Sequence, residues 1–115
     1  MVDFSTRLKT ELEKILPTYY ENFVGEDIAY PCITYVPTNN YSYIEGDTIR
    51  FSKLTYNVKL WGNDYSALMT YINTIDLAMK KIGLNRTNYN ELCFDGLFQL
   101  VFKYEGTGFE IYDDL

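Results

Sequence analysis

From Phe51 to Trp61 apolar and polar residues alternate almost without a break, and just beyond Trp61 the period of the pattern changes. Leu54, Tyr56, Val58 and Leu60 fall on one side of an extended chain, with Lys53, Thr55, Asn57 and Lys59 on the other. A period of two sustained this far predicts a strand with one buried face and one wet face. At ~3.4 Å per residue the segment spans roughly 35 Å, which is long for a small domain. After Gly62-Asn63-Asp64, the residues Leu68, Ile72, Ile75, Met79 and Ile82 step by four and three and draw one apolar helical stripe. Asp64 or Asn63 supplies the N-cap. Lys80 and Lys81 fall in the last turn, where the helix dipole favours cations, and Gly83 follows as the left-handed stop. A strand, a tight turn and a capped helix are predicted in series, and the remaining segments must pack around them.

The opening segment, from about Asp3 to Leu16, carries a second apolar stripe through Phe4, Leu8, Leu12, Ile15 and Leu16. Asp3 or Ser5 can cap this helix, and Pro17 ends it because a proline inside would remove a hydrogen bond. Thr18 to Tyr30 is irregular, with a turn at Gly25-Glu-Asp. Cys32 to Val36 is a short β-branched and aromatic run, expected as the first strand, an edge strand closed by Pro37. Thr38 to Arg50 is expected as a projecting hairpin or loop arm that carries Tyr41, Tyr43, Ile44 and Ile49. Leu84 to Asn90 is polar and turn-like. Glu91–Phe94 and Leu97–Tyr104 flank Asp95-Gly96, a strong two-residue hairpin signal. From Glu105 to Leu115 the chain holds Glu105, Glu110, Asp113 and Asp114 and no basic residue. That acidic tail is either a frayed end or, through Phe109, Ile111 and Tyr112, a segment that docks on a neighbour.

These elements predict a single α+β domain over residues 1–115, an antiparallel sheet of about four strands with two amphipathic helices on one face. A chain of this length buries about two-thirds of its unfolded surface, enough for an independent fold. No apolar run approaches the length of a membrane span, and the first residues lack the pattern of a signal peptide. Cys32 and Cys93 each sit in an apolar run and are expected as small core residues in a reducing compartment. The net charge of −6 argues against a broad phosphate-binding surface, which needs clustered Lys and Arg. Twelve Tyr and seven Phe are the compositional oddity. Tyrosine favours strands, but Tyr19, Tyr20, Tyr41, Tyr43 and Tyr89 fall where loops are expected, which hints at an assembly surface.

Sequence chemistry offers no catalytic constellation. Histidine is absent, which removes the commonest general base and the commonest metal ligand together. Two distant cysteines cannot build a zinc site without further ligands, and no Gly-rich phosphate loop is present. Glu11 with Glu13 diverge on a helix, and Asp113 with Asp114 lie in the tail, so neither pair resembles a glycosidase acid–base couple. Tyr56 beside a carboxylate could transfer protons, but the core reading of that tyrosine is preferred. The chain is expected to have no catalytic residues and to need no cofactor or metal.

Read in order, Tyr30-Pro31-Cys-Ile33-Thr-Tyr35, a variable arm, Leu54-Thr-Tyr56-Asn-Val58-Lys-Leu60-Trp61, Gly62-Asn63-Asp64 opening a helix that ends at Ile82-Gly83, and the Phe98–Tyr104 strand form a series. This series resembles the small tail-terminator, tail-completion and head–tail joining proteins of tailed bacteriophages, over about nine-tenths of the chain. Cys32 departs from the aromatic often found there, and the acidic tail has no counterpart in the pattern. The resemblance implies a structural virion protein, usually a hexameric ring, at the head-proximal end of the tail tube. Such a ring ends tube polymerisation, joins the tail to the neck or head-completion protein, and in contractile tails meets the last sheath ring. It would assemble in the host bacterial cytoplasm, and DNA would pass through its lumen without specific binding.

A ring of identical subunits needs heterologous contacts that close by rotation, which strand edges and projecting arms provide. Ile33, Tyr35, Tyr41, Tyr43, Ile44 and Ile49 are the expected subunit-interface residues, and Glu45, Asp47 and Asp95 the expected lumen-facing acids. Two competing readings are a neck adaptor below the portal, and a small α+β ligand-binding regulatory module with a pocket on the aromatic sheet face.

Overall fold

The computed structural model describes residues 4–21, 28–38, 41–45 and 49–111, and for 41–45, 49–53 and 107–111 the backbone alone. Helix α1 (Phe4–Glu13) turns Phe4, Leu8 and Leu12 toward the sheet. Its last turn tightens as the backbone N–H groups of Ile15 and Leu16 both donate to the Leu12 carbonyl, at 2.9 and 3.2 Å. The helix therefore ends short of Leu16, although Ile15 and Leu16 still pack on the core. The chain turns at Pro17, whose carbonyl accepts from the Ile33 N–H at 2.9 Å. Strand β1 (Thr18–Tyr20) then runs parallel to β2 (Cys32–Pro37).

Strand β4 (Ile49–Gly62) is the spine of the sheet. On one side β6 (Leu97–Ile111) pairs with it along its whole length, from Gly62 opposite Phe98 to Ile49 opposite Ile111. On the other side β2 pairs with Tyr56–Trp61, and β3 (Tyr41–Glu45) takes over at Ile49–Lys53. Thr38 marks the changeover, where its backbone N–H donates to the Thr55 carbonyl at 2.7 Å. Strand β5 (Leu84–Phe94) flanks β6, which gives the order β1-β2-β4-β6-β5 with β3 as a sixth strand on β4. At the β5–β6 turn Asp95 and Gly96 both have positive φ, 52° and 78°, the backbone that a tight Asp-Gly hairpin demands.

The even-numbered side chains of β4 and β6 make the core face. Leu54, Tyr56, Val58, Leu60, Leu100, Phe102 and Tyr104 are all buried, as are Ile33 and Tyr35 of β2. The helices α1, α2 (Tyr65–Met69) and α3 (Ile72–Lys81) cover that face with Phe4, Leu8, Leu12, Leu68, Ile75 and Met79. The Phe4 ring stacks on Tyr56 at 6.0 Å between centroids, and the Ser5 and Tyr56 hydroxyls lie 2.8 Å apart. The α+β class expected from the sequence is therefore the class of the fold. Beyond Gly106 the ribbon of β3, β4 and β6 runs on past the start of β5. The protein extends 50 × 27 × 22 Å, with a radius of gyration of 15.2 Å against ~13 Å for a compact chain of this length.

Several local expectations are corrected. The sheet has more than four strands and is mixed, because the three residues of β1 are too few to show a period and pair in parallel with β2. The second helical stretch is two helices. At the break, Thr70 turns its hydroxyl back to the Ala67 carbonyl at 2.6 Å, a bond that competes with helix continuation. Leu84–Asn90 is strand and not turn, since β5 lies at the sheet edge with most side chains exposed and shows no buried alternation. Ser5 lies inside α1 and faces Tyr56, so it is no cap, while Asp3 lies outside the described residues. All five tyrosines expected in loops lie in strands, Tyr19 and Tyr20 in β1, Tyr41 and Tyr43 in β3 and Tyr89 in β5, with Tyr20 packed on Tyr35 and Tyr89 on Phe102. Residues 105–111, within the expected acidic tail, continue β6 in register with β4.

Candidate assembly surfaces

Of the six residues expected at a subunit interface, Ile33 and Tyr35 are corrected. Strand β2 is interior between β1 and β4, with Ile33 opposite Leu60 and Tyr35 opposite Val58, and both side chains belong to the core. Parallel pairing with Thr18–Tyr20 turned the supposed edge inward. The structure brings the other four together along one arm: Tyr41, Tyr43 and Ile44 on β3 and Ile49 on β4, with Tyr43 in register with Phe51 and Glu45 with Ile49. Their side chains lie outside the described residues. The expected lumen acids do not converge. Glu45 sits at the arm end and Asp95 at the opposite hairpin, separated by nearly the full β6 ladder, while Asp47 lies outside the described residues. No single acidic patch can include both Glu45 and Asp95.

The back of the sheet carries a surface that sequence periodicity missed. The odd-numbered residues of β4 and β6 face away from the helices, and on β5 the residues in register with them are Leu92 (opposite Gln99) and Phe94 (opposite Leu97). Leu92 is 55% and Phe94 76% exposed, the latter a large ring left in water. Trp61 lies across the same face, in register with Gln99, and its indole N–H donates to the Thr34 hydroxyl at 2.8 Å. The Lys59 ammonium sits 5.9 Å above that ring and pairs with Glu21. Two large apolar side chains exposed side by side on one strand mark a candidate contact surface. It lies on the expected hairpin arm Glu91–Phe94, whose four residues are too few to show from sequence which face stays bare.

On the helix side a network fastens β5 to the body. Tyr104 donates to Asp76 Oδ1 at 2.6 Å, and Asp76 Oδ2 pairs with Arg86 at 3.3 Å. The Arg86 guanidinium lies over the rings of Tyr89 and Phe102, at 5.6 and 5.8 Å. Tyr89 donates to Glu91 Oε1 at 2.8 Å, and Tyr65 of α2 reaches the same carboxylate at 2.5 and 2.9 Å. These hydroxyls hold the Glu91 carboxyl below the ordinary carboxylate value. In return Glu91 pushes the Tyr65 phenol up, and burial, then Glu91, does the same to Tyr89. Burial, followed by the Asp76 hydrogen bond, raises the Tyr104 phenol. Three tyrosines, each donating to a carboxylate, clamp β5 to the helices and to β6.

Hollows also lie among the described residues. One of about 240 Å³ lies under Tyr30–Pro31, against Gly62, Asp64 and Leu68. The other, about 310 Å³, is a groove between α1 and α3 lined by Arg7, Thr10, Glu11, Lys81 and Ile82. Glu11 sits in that groove with Lys14 at 3.1 Å and Lys81 at 3.4 Å, and the hydrogen bond from Lys14 lowers its carboxyl most. Cys32 is buried, and burial raises its thiol to about 11. Cys93 is exposed, against the expectation of a core residue, because its edge strand has no layer over it at that point. Among the described residues no group of three or more Cys, Asp or Glu could hold a metal ion. No protein-family model and no curated protein matches the chain.

Proposed function

We propose that the protein is a structural subunit of a bacteriophage tail, one that forms a ring (hexameric by the family resemblance) at the head-proximal end of the tube. There it ends tube growth, joins the tail to the neck and, in a contractile tail, meets the sheath. The observation that carries this reading is the ribbon of β3, β4 and β6, which continues for five β4–β6 residue pairs past the start of β5. An extension of this kind suits contact with a neighbour, since ring closure requires one surface to meet a different one. The exposed Leu92 and Phe94 supply a second surface of the same kind, at the opposite end of β6. The role is architectural and needs no catalytic group. A net charge of −6 suits a wall past which DNA slides without being held.

The test is the mass of the purified chain across a wide concentration range, followed by cryo-EM of whatever assembles. Rings, and arrest of tube growth when the protein is added to polymerising tail-tube subunits, are the expected outcomes. Phe94→Asp should weaken assembly while leaving the fold intact. A chain that remains monomeric at high concentration and leaves tube growth unaffected overturns the reading, and stabilisation of such a monomer by a small metabolite would favour a ligand-binding module. A ring that binds isolated portal and not the tube would favour a neck adaptor.

A further inference from the structure

We infer that the groove between α1 and α3 receives the acidic segment Glu110–Asp114 of a second copy of this chain. The inference rests on the assembly reading and names its contact. Five of the ten basic residues belong to the helices and the turn after α1: Arg7, Lys9 (paired with Glu13) and Lys14, and Lys80 and Lys81 at the end of α3. Around the groove itself Arg7, Lys14 and Lys81 face a single carboxylate, Glu11, which leaves an excess of positive charge in a chain whose net charge is −6. The complementary charge lies at the far end of β6, where Glu110, Asp113 and Asp114 occur without a basic residue from Glu105 onward.

Geometry separates the two within one chain. The groove stands over the base of the arm, for Ser5 of α1 touches Tyr56, and Gly83, two residues past Lys81, lies against Gly106. From Gly106 the strand runs five residues outward to Ile111, about 17 Å at the strand rise, with Glu110 held in register opposite Arg50. Asp113 and Asp114 are two and three residues further on, so fully extended they reach back at most ~11 Å. The neighbour's arm has no such constraint. Arm end onto arm base is a contact between two different surfaces, the kind that propagates and closes into a ring. Surface charge pairs of this type set partner choice and register more than raw affinity.

The experiment is sedimentation of the full chain in three forms: wild type, the groove reversal Arg7→Glu with Lys81→Glu, and the arm reversal Asp113→Lys with Asp114→Lys. Each reversal alone should weaken self-association at least about tenfold, and an equimolar mixture of the two should restore it, because each groove then meets an arm of opposite charge. Wild-type association should weaken as salt rises from low to high concentration. Thermal melts check folding, and Arg7→Gln with Lys81→Gln serves if the reversed groove unfolds. Association of either reversal within twofold of wild type overturns the inference and leaves the assembly reading standing. A wild-type chain that never associates overturns both.

Discussion

Tyr104 and Asp76 are joined hydroxyl to carboxylate at 2.6 Å, where the fully buried ring of β6 meets the half-exposed flank of α3. The bond lets a tyrosine occupy a core position that periodicity assigns to an apolar side chain, with its polar tip satisfied at the layer boundary. Replacing Tyr104 by Phe keeps the ring and removes the donor. Asp76 retains Arg86, so no buried charge is orphaned, and the expected cost is about 1–2 kcal/mol by urea denaturation. A cost near zero would mean that water replaces the hydroxyl without penalty.

Gly106 of β6 meets the carbonyl oxygen of Gly83 so closely that an added Cβ would collide with backbone. Neither partner is a side chain that can swing away. Gly106→Ala should therefore cost about 3 kcal/mol, at the upper end of overpacking changes. Gly96→Ala is the informative contrast, since nothing lies within 4 Å and only the positive φ of 78° resists. That variant should lose about 1 kcal/mol. Equal losses at the two sites would deny the close approach.

The Glu91 clamp predicts a pH signature. Its carboxyl is depressed below 4.5 by the Tyr65 and Tyr89 hydroxyls, so its contribution is present above that value and lost as pH falls through the folded-state value. The Tyr65 and Tyr89 phenols are raised above 10, so theirs is present below pH 10 and lost as pH rises beyond it. The melting temperature of wild type should exceed that of Glu91→Gln at neutral pH. The gap should close at both extremes, below pH 4.5 and above pH 10. A gap that is constant with pH would show that Glu91 acts through packing alone.

The two thiols should differ sharply toward an aromatic disulfide reagent. Cys93 is exposed and should react at once with one equivalent, while Cys32, 1% exposed and with its thiol raised to about 11, should react only on unfolding. In the Cys93→Ser variant the rate of labelling becomes a direct measure of opening of the β2–β4 region. Two fast equivalents in the native protein would contradict this arrangement.

Much of the fold was legible because local chemistry and tertiary context agree along the spine. The alternation from Leu54 to Leu60 became β4, Asp64 accepts the hydrogen bond of the Ala67 N–H at 3.2 Å, Gly83 takes a φ of 91°, and Asp95-Gly96 turns the hairpin. What failed lies at the margins. The first part of β5, Leu84–Asn90, reveals itself only through its ladder to β6, since Asn85, Asn88 and Asn90 carry no strand preference and most of its side chains face water. Ile33 and Tyr35 resembled edge residues because the three-residue neighbour that buries them leaves no period to detect. Leu92 and Phe94 lie on the expected hairpin arm Glu91–Phe94, and only the pairing with β6 shows which of its faces stays bare.

The sequence by itself determined where the chain must be extended, where it must coil and where it must turn, because side-chain period, caps and left-handed residues act within a few positions of one another. Tertiary structure alone decided which strands lie side by side. Pairing is a contact between segments distant in sequence, as between Thr18 and Ile33 or Ile49 and Ile111, and it is made through backbone hydrogen bonds that every residue type except proline can both donate and accept. Strand order, the length of the arm and the separation of basic groove from acidic arm end follow from that pairing, and no local pattern encodes them.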